Sequence, residues 1–474
     1  MNVGILLPEL ITVLGGMALM MLGVFLGDRS QRLISYLAIA IFVAAAGATL
    51  MGTGRQTAFN GAFVADDFGR FVKLIVLAGA ALVLVMGQGY IQRHRMNRFE
   101  FPVLVTFSVT GMMLMASAGD FLTLYLSMEL QSLALYVLAA FDRDNARSTE
   151  AGLKYFVLGA LSSGMMLYGI SLIYGFAGTT SFAKVAMVVQ SGGVSLGLLF
   201  GLVFLISGLA FKVSAVPFHM WTPDVYEGAP TPITAFFSAS PKIAAMGLFV
   251  RAMVESFPSA TDQWRQIVIF ISILSMVLGA VAAIGQTNIK RLMAYSSIAN
   301  MGFILIGLAT GTAQGVEGVL IYLAIYLVTN IGIFSCILGM RRGDHMVENI
   351  SDLSCLAQTR PGYAFVFAML MFSLAGIPPL AGFFAKFYVF LAAIRAGLYP
   401  LAVIGVVASV VGAVYYLKIV KVIYFDEPAP ALERDIGPSL NTIIAVAGAF
   451  TVFFLLGAAP LVSAATAAAA SLFP

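Results

Sequence analysis

The chain has 474 residues, of which 60% are hydrophobic and only 10% are charged, and its net charge is +4. A soluble domain carries about 25% charged residues, so the composition excludes a soluble globular enzyme, and the small net charge gives no reason to expect nucleic-acid binding. The apolar runs reach about 20 residues or more, the length of membrane-spanning helices, and are too long for the strands of an outer-membrane barrel.

Fourteen membrane-spanning helices are predicted, so the fold is expected to be an all-α polytopic membrane protein. The helices are placed at 4–26, 33–52, 71–91, 100–118, 120–140, 154–176, 196–220, 232–254, 265–286, 291–310, 315–340, 361–394, 399–424 and 439–463. Pro217 interrupts the seventh helix, and Pro378 and Pro379 divide the twelfth into two half-helices. The first helix lacks a basic leader and a cleavage site, so we expect it to be retained.

The basic residues of the loops predict how the chain crosses the membrane. One alternate set of loops is rich in them, at Arg29, Arg32, Arg93, Arg95, Arg98, Arg143, Arg147, Lys154, Lys290, Arg291, Arg341, Arg342, Arg360, Lys418, Lys421 and Arg434. The other set is poor in them, with Arg55, Arg70, Lys184, Arg265 and Arg395. The positive-inside rule places the first set in the cytoplasm, and both termini outside, in the periplasm.

A proline-broken helix that carries a lysine occurs in each half of the chain, and this recurrence hints at an internal repeat that sequence similarity between the halves does not by itself establish. We expect three N-terminal helices at 1–99, five-helix repeats at 100–256 and 264–425, and a C-terminal helix at 439–463. An odd number of helices per repeat would give the two repeats opposite orientations in the membrane.

Candidate functional residues are the few charges at membrane depth. Lys212 and Lys242 lie in the apolar, proline-rich stretch 211–243, and Lys386 follows the second proline break. A charged side chain at the bilayer centre costs a few kcal/mol on insertion scales, about 2.5–3.5, so it rarely persists without a role. Reversible protonation of such groups is one way in which a proton crosses a bilayer.

Glu129 lies about nine residues beyond Asp120 at a helix mouth, which places it roughly 14 Å into the membrane. A carboxylate there is expected to be protonated or paired with Lys212 or Lys242; the alternative is a static ion pair that pins two helices. His219 has two open interpretations, a proton relay near these lysines or a cap for carbonyls freed at Pro217.

Cofactor sites are not predicted in this chain. The two cysteines are too few for a cysteine-ligated iron–sulfur cluster, and neither a dinucleotide-binding nor a phosphate-binding glycine motif occurs in the sequence. We therefore expect the chain to bind no cofactor and to perform no redox chemistry itself.

Four stretches of sequence carry a resemblance to a known family. They are LYLSMELQSLALYVLAAF (124–141), STEAGLKYFVLGALSSGMMLYG (148–169), FKVSAVPFHMWTPDVYEGAPTPITAFFSASPK (211–242) and KRLMAYSSIANMGF (290–303). The chain resembles the antiporter-like subunits of respiratory complex I, and among them the N type, over essentially its whole length. Lys386 separates it from the M type, which carries a glutamate there.

The resemblance implies a role for each candidate residue. Glu129 and Lys212 would form a coupled pair, Lys242 a central relay, Lys386 a terminal relay, and His219 a bridge between lysines. It also implies a proton-translocating subunit of NADH:quinone oxidoreductase, a translocase of the bacterial inner membrane, with K-type and M-type neighbours. NADH, FMN, iron–sulfur clusters and quinone would then be bound by partner subunits.

Three other functions compete with this interpretation. A subunit of a multisubunit cation/proton antiporter would share the fold and the buried charges. A structural scaffold would use the same charges only to lock helices together. A quinone-binding redox subunit would need a ligand set that is not evident in the sequence.

Overall fold

The structure is a computed structural model that describes residues 3–343 and 345–473, and almost all of that part of the chain is helical. The helices are α1 (Leu7–Leu26), α2 (Gln31–Met51), α3 (Asp67–Arg93), α4 (Glu100–Ala116), α5 (Phe121–Ala139), α6 (Ala146–Ala177), α7 (Phe182–Gly192), α8 (Leu196–Lys212), α9 (Trp221–Gly228), α10 (Thr231–Ser238), α11 (Ser240–Ser256), α12 (Thr261–Ile284), α13 (Ile289–Ala309), α14 (Ala313–Leu338), α15 (Leu356–Thr359), α16 (Pro361–Ala375), α17 (Ala381–Arg395), α18 (Tyr399–Phe425) and α19 (Pro438–Ala470). Two small antiparallel hairpins accompany them, β1 (Gln56–Ala58) with β2 (Phe63–Ala65), and β3 (Arg341–Arg342) with β4 (His345–Met346).

The fourteen predicted spans are confirmed within the described residues. Eleven helical stretches are long and apolar enough to cross a membrane, and α4, α8 and α16 are shorter apolar helices at the remaining predicted positions. The short helix α7 lies in the loop after α6, where the sequence is amphipathic. The chain is therefore a multi-pass helical membrane protein.

Both predicted helix breaks are present, and a third was missed. The segment 213–220 separates α8 from α9 around Pro217, and the segment 376–380 separates α16 from α17. The predicted continuous helix at 232–254 is wrong, because it ends at Ser238 and restarts at Ser240. Pro241 explains the break, since proline disfavours helical backbone in the residue before it and lacks an N–H.

Ion pairs outside the bilayer core separate into two groups, one at each face of the molecule. At the face with the basic loops, which we call the basic face, Arg98 contacts Asp28 at 2.7 Å. At the opposite face, Arg55 contacts Glu255 at 2.9 Å. Helix α4 begins beside Arg98 and α12 begins just after Glu255, so these two helices, the first of each expected repeat, start at opposite faces. This is the inverted arrangement expected for the repeats.

The two ends of the described chain lie at the same face. Residues 3–6 pack against strand β1, which belongs to the loop that carries Arg55. At the other end, Arg55 donates a hydrogen bond to the carbonyl of Ser471 at 3.3 Å, and the Ser471 hydroxyl accepts one from the backbone N–H of Phe68 at 3.1 Å. Both ends are therefore at the face opposite the basic face.

The centre of the protein is formed by α10, α11, α13 and α14, whereas α1, α2 and α19 lie at its periphery. Small residues let the helices approach closely: a Cβ on Gly279 of α12 would lie 2.7 Å from the backbone nitrogen of Ala299 on α13. Such contacts replace the hydrophobic driving force that is missing between helices in lipid.

A buried ion pair joins the N-terminal helices to the first repeat. The guanidinium of Arg251, on α11, makes two hydrogen bonds to the carboxylate of Asp66, of 2.6 and 2.9 Å, and both side chains are fully buried. Glu255 accepts a further bond from Arg251 at 3.1 Å. Burial alone would raise the pKa of the Asp66 carboxyl, but Arg251 and the N–H of Gly69 hold it below its usual value.

We predict that Asp66→Asn lowers the stability of the assembled protein, because it leaves the Arg251 charge buried without its main partner. Breaking a buried pair on one side costs about 3–5 kcal/mol, and the thermal unfolding midpoint measures the loss. Glu255→Gln is the matched control and should have a smaller effect, since Arg251 keeps both bonds to Asp66.

The direction in which the free energy of unfolding changes with pH follows from the lowered pKa of Asp66. The pair stabilises the fold above the unfolded pKa of about 3.9, and this stabilisation is lost as the pH falls through the lower folded pKa. An Asp66→Asn variant with the unfolding midpoint of the unmodified protein would contradict the assignment.

Candidate functional site

A polar stripe runs along α5 and faces α6 and α8. Tyr125, Glu129, Ser132 and Tyr136 are spaced four, three and four residues apart, which places them on one side of the helix. The carboxylate of Glu129 accepts a hydrogen bond of 2.6 Å from the Ser163 hydroxyl, which also lies 3.2 Å from the Tyr125 hydroxyl. Glu129 is thus held by a neutral donor from α6.

Lys212 meets the same stripe from α8. Its ammonium donates to the Ser132 hydroxyl at 2.6 Å and to the Tyr136 hydroxyl at 3.4 Å. Among the described residues no carboxylate lies within 4 Å of it, so the expected Glu129–Lys212 pair is not a direct contact. The Glu129 carboxylate and the Lys212 ammonium bind different hydroxyls beside α5, Ser163 for the first and Ser132 and Tyr136 for the second. As the last residue of α8, Lys212 is also stabilised by the helix dipole.

Lys242 is the most deeply buried of the candidate lysines, with 1% of its surface exposed. It is the third residue of α11, one turn after the break at Ala239, and therefore lies near a helix start within the span predicted at 232–254. Its ammonium donates to the Ser297 hydroxyl at 2.6 Å and lies 5.0 Å from the centre of the Tyr226 ring. In the described part of the chain it has no carboxylate partner.

Hydroxyl and amide groups continue from Ser297 across α13, α14 and α18. The Tyr326 hydroxyl donates to Ser297 at 2.8 Å. Asn300, one turn further along α13, accepts a hydrogen bond from Tyr322 at 2.7 Å. The hydroxyl of Ser296, the residue before Ser297, lies 2.5 Å from the hydroxyl of Tyr416. Buried tyrosine, serine and asparagine side chains therefore line the space beyond Lys242.

Lys386 binds the end of the broken helix α16. Its ammonium donates to the carbonyls of Leu374 and Ala375 at 2.9 and 3.1 Å, and to the Ser409 hydroxyl at 2.8 Å. These carbonyls lack partners within the helix because α16 ends there. The negative end of the helix dipole also favours a cation at this position.

Two helices connect the Lys242 site to the Lys386 site. On α13, Ser297 binds Lys242, and Phe303, six residues later, lies under the Lys386 ammonium at 4.9 Å. On α18, Ser409 binds Lys386, and Tyr416 is seven residues further on the same side of the helix, at a rise of about 10 Å. The Lys242 and Lys386 sites therefore lie against the same two helices. We call the buried polar side chains between them, Ser297, Asn300, Tyr416 and Ser409, the polar layer, and it has a gap of about 10 Å between Tyr416 and Ser409.

His219 lies in the segment 213–220, half-buried between the exposed side chains of Pro217 and Met220. It interacts with the backbone of Pro217, and no bond to Lys212 or Lys242 is found for it among the described residues. The interaction with Pro217 is the one expected of a cap for the carbonyls at the break, the second of the two interpretations of this residue.

A cluster of charges at the basic face joins the two repeats. Asp224, on α9, accepts bonds of 2.7 Å from both Lys154 and Arg291, and Glu227 contacts Arg291 at 2.9 Å. Burial alone would raise the pKa of Asp224, but the bonds from Lys154 and Arg291 hold it below its usual value.

Beside this cluster a polar cavity of about 660 Å³ opens at the basic face. Lys290 lies at its wall, where its ammonium contacts Glu348 at 3.0 Å and the Ala229 carbonyl at 2.9 Å. Ala229 follows α9, whose Tyr226 ring lies against Lys242. The cavity therefore approaches the Lys242 site from the basic face.

Three buried charges within apolar stretches, those of Glu9, Lys73 and Arg251, escaped the sequence analysis, as did Asp66 in the loop before α3. Lys73 and Glu9 form an ion pair of 2.6 Å between α3 and α1, with about 4% of each side chain exposed, and Arg251 binds Asp66. The signal that singled out Lys212, a charge inside an apolar stretch, was present at all three positions. The serines, tyrosines and asparagine of the polar layer carried no comparable signal, because such residues are common in membrane helices.

Within the described residues, no group of three or more histidine, cysteine, aspartate or glutamate side chains is placed to hold a metal ion.

Comparisons with known proteins match these observations. Residues 118–412 match the family model described as NADH:quinone oxidoreductase/Mrp antiporter, TM. NADH-quinone oxidoreductase subunit N of Parvibaculum lavamentivorans is 58% identical over 470 residues, covering 99% of this chain and 97% of the relative. The corresponding subunit N 1 of Rhizobium meliloti is 56% identical, covering 98% and 97%.

Solved structures share the fold. A chain of respiratory complex I from Thermus thermophilus is 32% identical with a TM-score of 0.81, covering 96% of this chain and 98% of that one. A chain of the Mrp complex from Dietzia superimposes with a TM-score of 0.87 at 22% identity, covering 100% and 98%. The second likeness concerns the fold alone.

Proposed function

The chain belongs to the NADH-quinone oxidoreductase subunit N family, and on that premise we propose that Glu129, Lys212, Lys242 and Lys386 carry its protons. The chain is an antiporter-like subunit in the membrane arm of proton-translocating NADH:quinone oxidoreductase, respiratory complex I. One observation carries the proposal: the three lysines are buried and bound to neutral oxygens.

Neutral partners leave a lysine free to change its protonation state. A carboxylate within contact distance would hold the ammonium charged, since an opposite charge stabilises the charged form. The hydroxyls at Lys212 and Lys242 can accept a hydrogen bond from an ammonium or donate one to a neutral amine. Loss of a proton therefore leaves the hydrogen bonds of these two sites in place.

The path that we propose begins at the basic face. A proton enters through the cavity beside Lys290 and reaches Lys242 along α9. It then passes along the polar layer of Ser297, Asn300 and Tyr416 to Lys386, with water bridging the gap between Tyr416 and Ser409. Release follows at the opposite face.

Coupling is assigned to Glu129 and Lys212, whose charges interact across the hydroxyls of Ser132 and Tyr136. A shift of one pKa unit corresponds to about 1.4 kcal/mol. Moving a proton against roughly 150 mV needs about 3.5 kcal/mol, equivalent to a shift of about 2.5 units. A change of that size is within the range caused by a nearby charge.

His219 is assigned a positioning role in this scheme. Its interaction with the Pro217 backbone supports the carbonyl-capping alternative, and the relay runs without it.

Partners and cofactors follow from the family. The chain is part of the multisubunit membrane arm, and we assign its neighbours to the K and M types. NADH, FMN, the iron–sulfur clusters and quinone are assigned to other subunits. The expected domain bounds, with repeats at 100–256 and 264–425, are kept as part of the proposal, supported by the opposite starts of α4 and α12.

A cation/proton antiporter subunit remains the alternative function, because the Mrp chain has the same fold. Identity of 58% to a subunit N against 22% to the Mrp chain favours the complex I assignment.

The first prediction of the proposal concerns Glu129→Gln. The amide still accepts the bond from Ser163 but removes the charge that acts on Lys212, so NADH-driven pumping should fall about tenfold, the effect of about 1.4 kcal/mol. Pumping and NADH oxidation are measured in membrane vesicles with assembly checked on native gels. Glu100→Gln, an exposed carboxylate at the start of α4, is the matched control and should pump normally. Normal pumping by an assembled Glu129→Gln complex would refute this role.

The second prediction concerns orientation in the bacterial inner membrane. We assign the basic face to the cytoplasm and both ends of the chain to the periplasm. Cysteines introduced at the exposed positions Lys184 and Arg29 test this with a membrane-impermeant thiol reagent. In spheroplasts Lys184→Cys should react at once and Arg29→Cys only after permeabilisation; the reverse pattern would invert the assignment.

A further inference from the structure

A second cavity at the basic face lies where four helices end. It has a volume of about 230 Å³ and is bounded by the start of α2, the ends of α3 and α14, and the start of α19. Its charged and polar walls include Arg32, Arg93, Arg341, His345, Gln88 and Gln92. Of the described residues that line it, none is acidic. The cavity is separate from the polar layer of the relay.

The cavity carries an excess of positive charge. Arg93 and Arg341 share one carboxylate, that of Glu433, at 3.4 and 2.6 Å. Arg32 donates to the neutral side chain of Gln92 at 2.7 Å. Burial and the nearby Arg93 lower the pKa of Arg341, as expected where like charges are crowded. An anion between these guanidinium groups would relieve that repulsion.

Helix α19 presents its N-terminus to the same cavity. Gly437, with a φ of +85°, turns the chain into the helix, and no side chain caps the first turn. Ser439 and Leu440 line the cavity. Their N–H groups belong to the first turn of α19, whose donors have no partner within the helix. Such an end, together with its dipole, favours an anion.

Gln88 provides an independent sign that a ligand is needed. Both polar atoms of its side-chain amide are buried and have no hydrogen-bond partner among the described residues, and Gln88 lines the cavity. Buried polar atoms in proteins are almost always hydrogen-bonded, so this unpaired amide is an unsatisfied hydrogen-bonding group beside the cavity.

The cavity also opens towards the surface of α2. Tyr36, at its edge, is 58% exposed, and Leu33 and Val43 on the same helix are 51% and 65% exposed. Because the cavity is at the ends of membrane-spanning helices, it lies at the depth of lipid headgroups. An apolar track therefore runs from it into the bilayer region.

We propose that this cavity binds the phosphate of an anionic phospholipid, whose acyl chains lie along α2. Guanidinium groups bind phosphate with paired hydrogen bonds, and basic pockets between membrane helices on the cytoplasmic side bind acidic headgroups. The surplus positive charge disfavours the ammonium of a zwitterionic lipid. The Gln88 amide and the α19 N–H groups supply the neutral donors of the site.

The experiment uses the purified, assembled complex after removal of lipid in detergent. Phosphatidylglycerol in mixed micelles, phosphatidylcholine in the same micelles, and inorganic phosphate are titrated separately, and the thermal unfolding midpoint is recorded. We expect phosphatidylglycerol alone to raise the midpoint. Equal effects of inorganic phosphate would identify a free anion as the ligand, and equal effects of phosphatidylcholine a non-selective lipid surface; either result overturns the proposal.

Variants assign the effect to this cavity. Arg32→Gln, at an exposed position, and Gln88→Leu, which removes the amide without changing charge, should each raise the half-saturating concentration of phosphatidylglycerol, by about tenfold for Arg32→Gln. Arg29→Gln removes another exposed charge, three residues before Arg32 and outside the cavity, and should leave the half-saturating concentration unchanged. The same shift in all three variants, or in none, would contradict the site.

Discussion

The structure depends on one constraint, which is that an ammonium group inside a membrane protein must have oxygen partners. A charge at the bilayer centre is costly on every scale, and the protein meets the requirement in two ways. Arg251 and Lys73 are paired with carboxylates and lie outside the polar layer. Lys212, Lys242 and Lys386 bind hydroxyls and carbonyls instead. We propose that the first arrangement fixes the charge and that the second lets the lysines gain and lose protons.

Each of these three lysines lies near a helix break, and at Lys386 the broken helix also supplies the oxygen partners. Lys386 binds two carbonyls that α16 frees by ending at Ala375. Lys212 is the last residue of α8, and Lys242 follows the break at Ala239. In each case a lysine lies within about one turn of a helix end, where backbone groups need partners from outside the helix. Helix breaks thus lie beside all three lysines, whereas the oxygens that bind Lys212 and Lys242 come from the side chains of α5 and α13.

The sequence predicted the helices and the two proline breaks, because length, hydropathy and proline positions are local properties. It also singled out four titratable residues as isolated charges, and their role as a relay stays a prediction. It did not predict the break at Ala239, where Pro241 acts on the residues before it. Nor did it predict that Ser132 and Ser297 would bind the lysines. Which hydroxyl meets which lysine depends on how α5, α8, α11 and α13 pack, and no local pattern records that.

The central claim is that Lys242 carries protons and does not merely fill the core. The most direct measurement is the ratio of protons translocated to electrons transferred, in liposomes that contain assembled complex with Lys242→Met. Methionine fills a similar volume but cannot bind a proton. If Lys242 carries protons, the Lys242→Met complex should translocate fewer protons per electron at the turnover that remains, since this path is closed while quinone reduction occurs elsewhere. An unchanged ratio in a fully assembled complex would show that protons do not pass through Lys242.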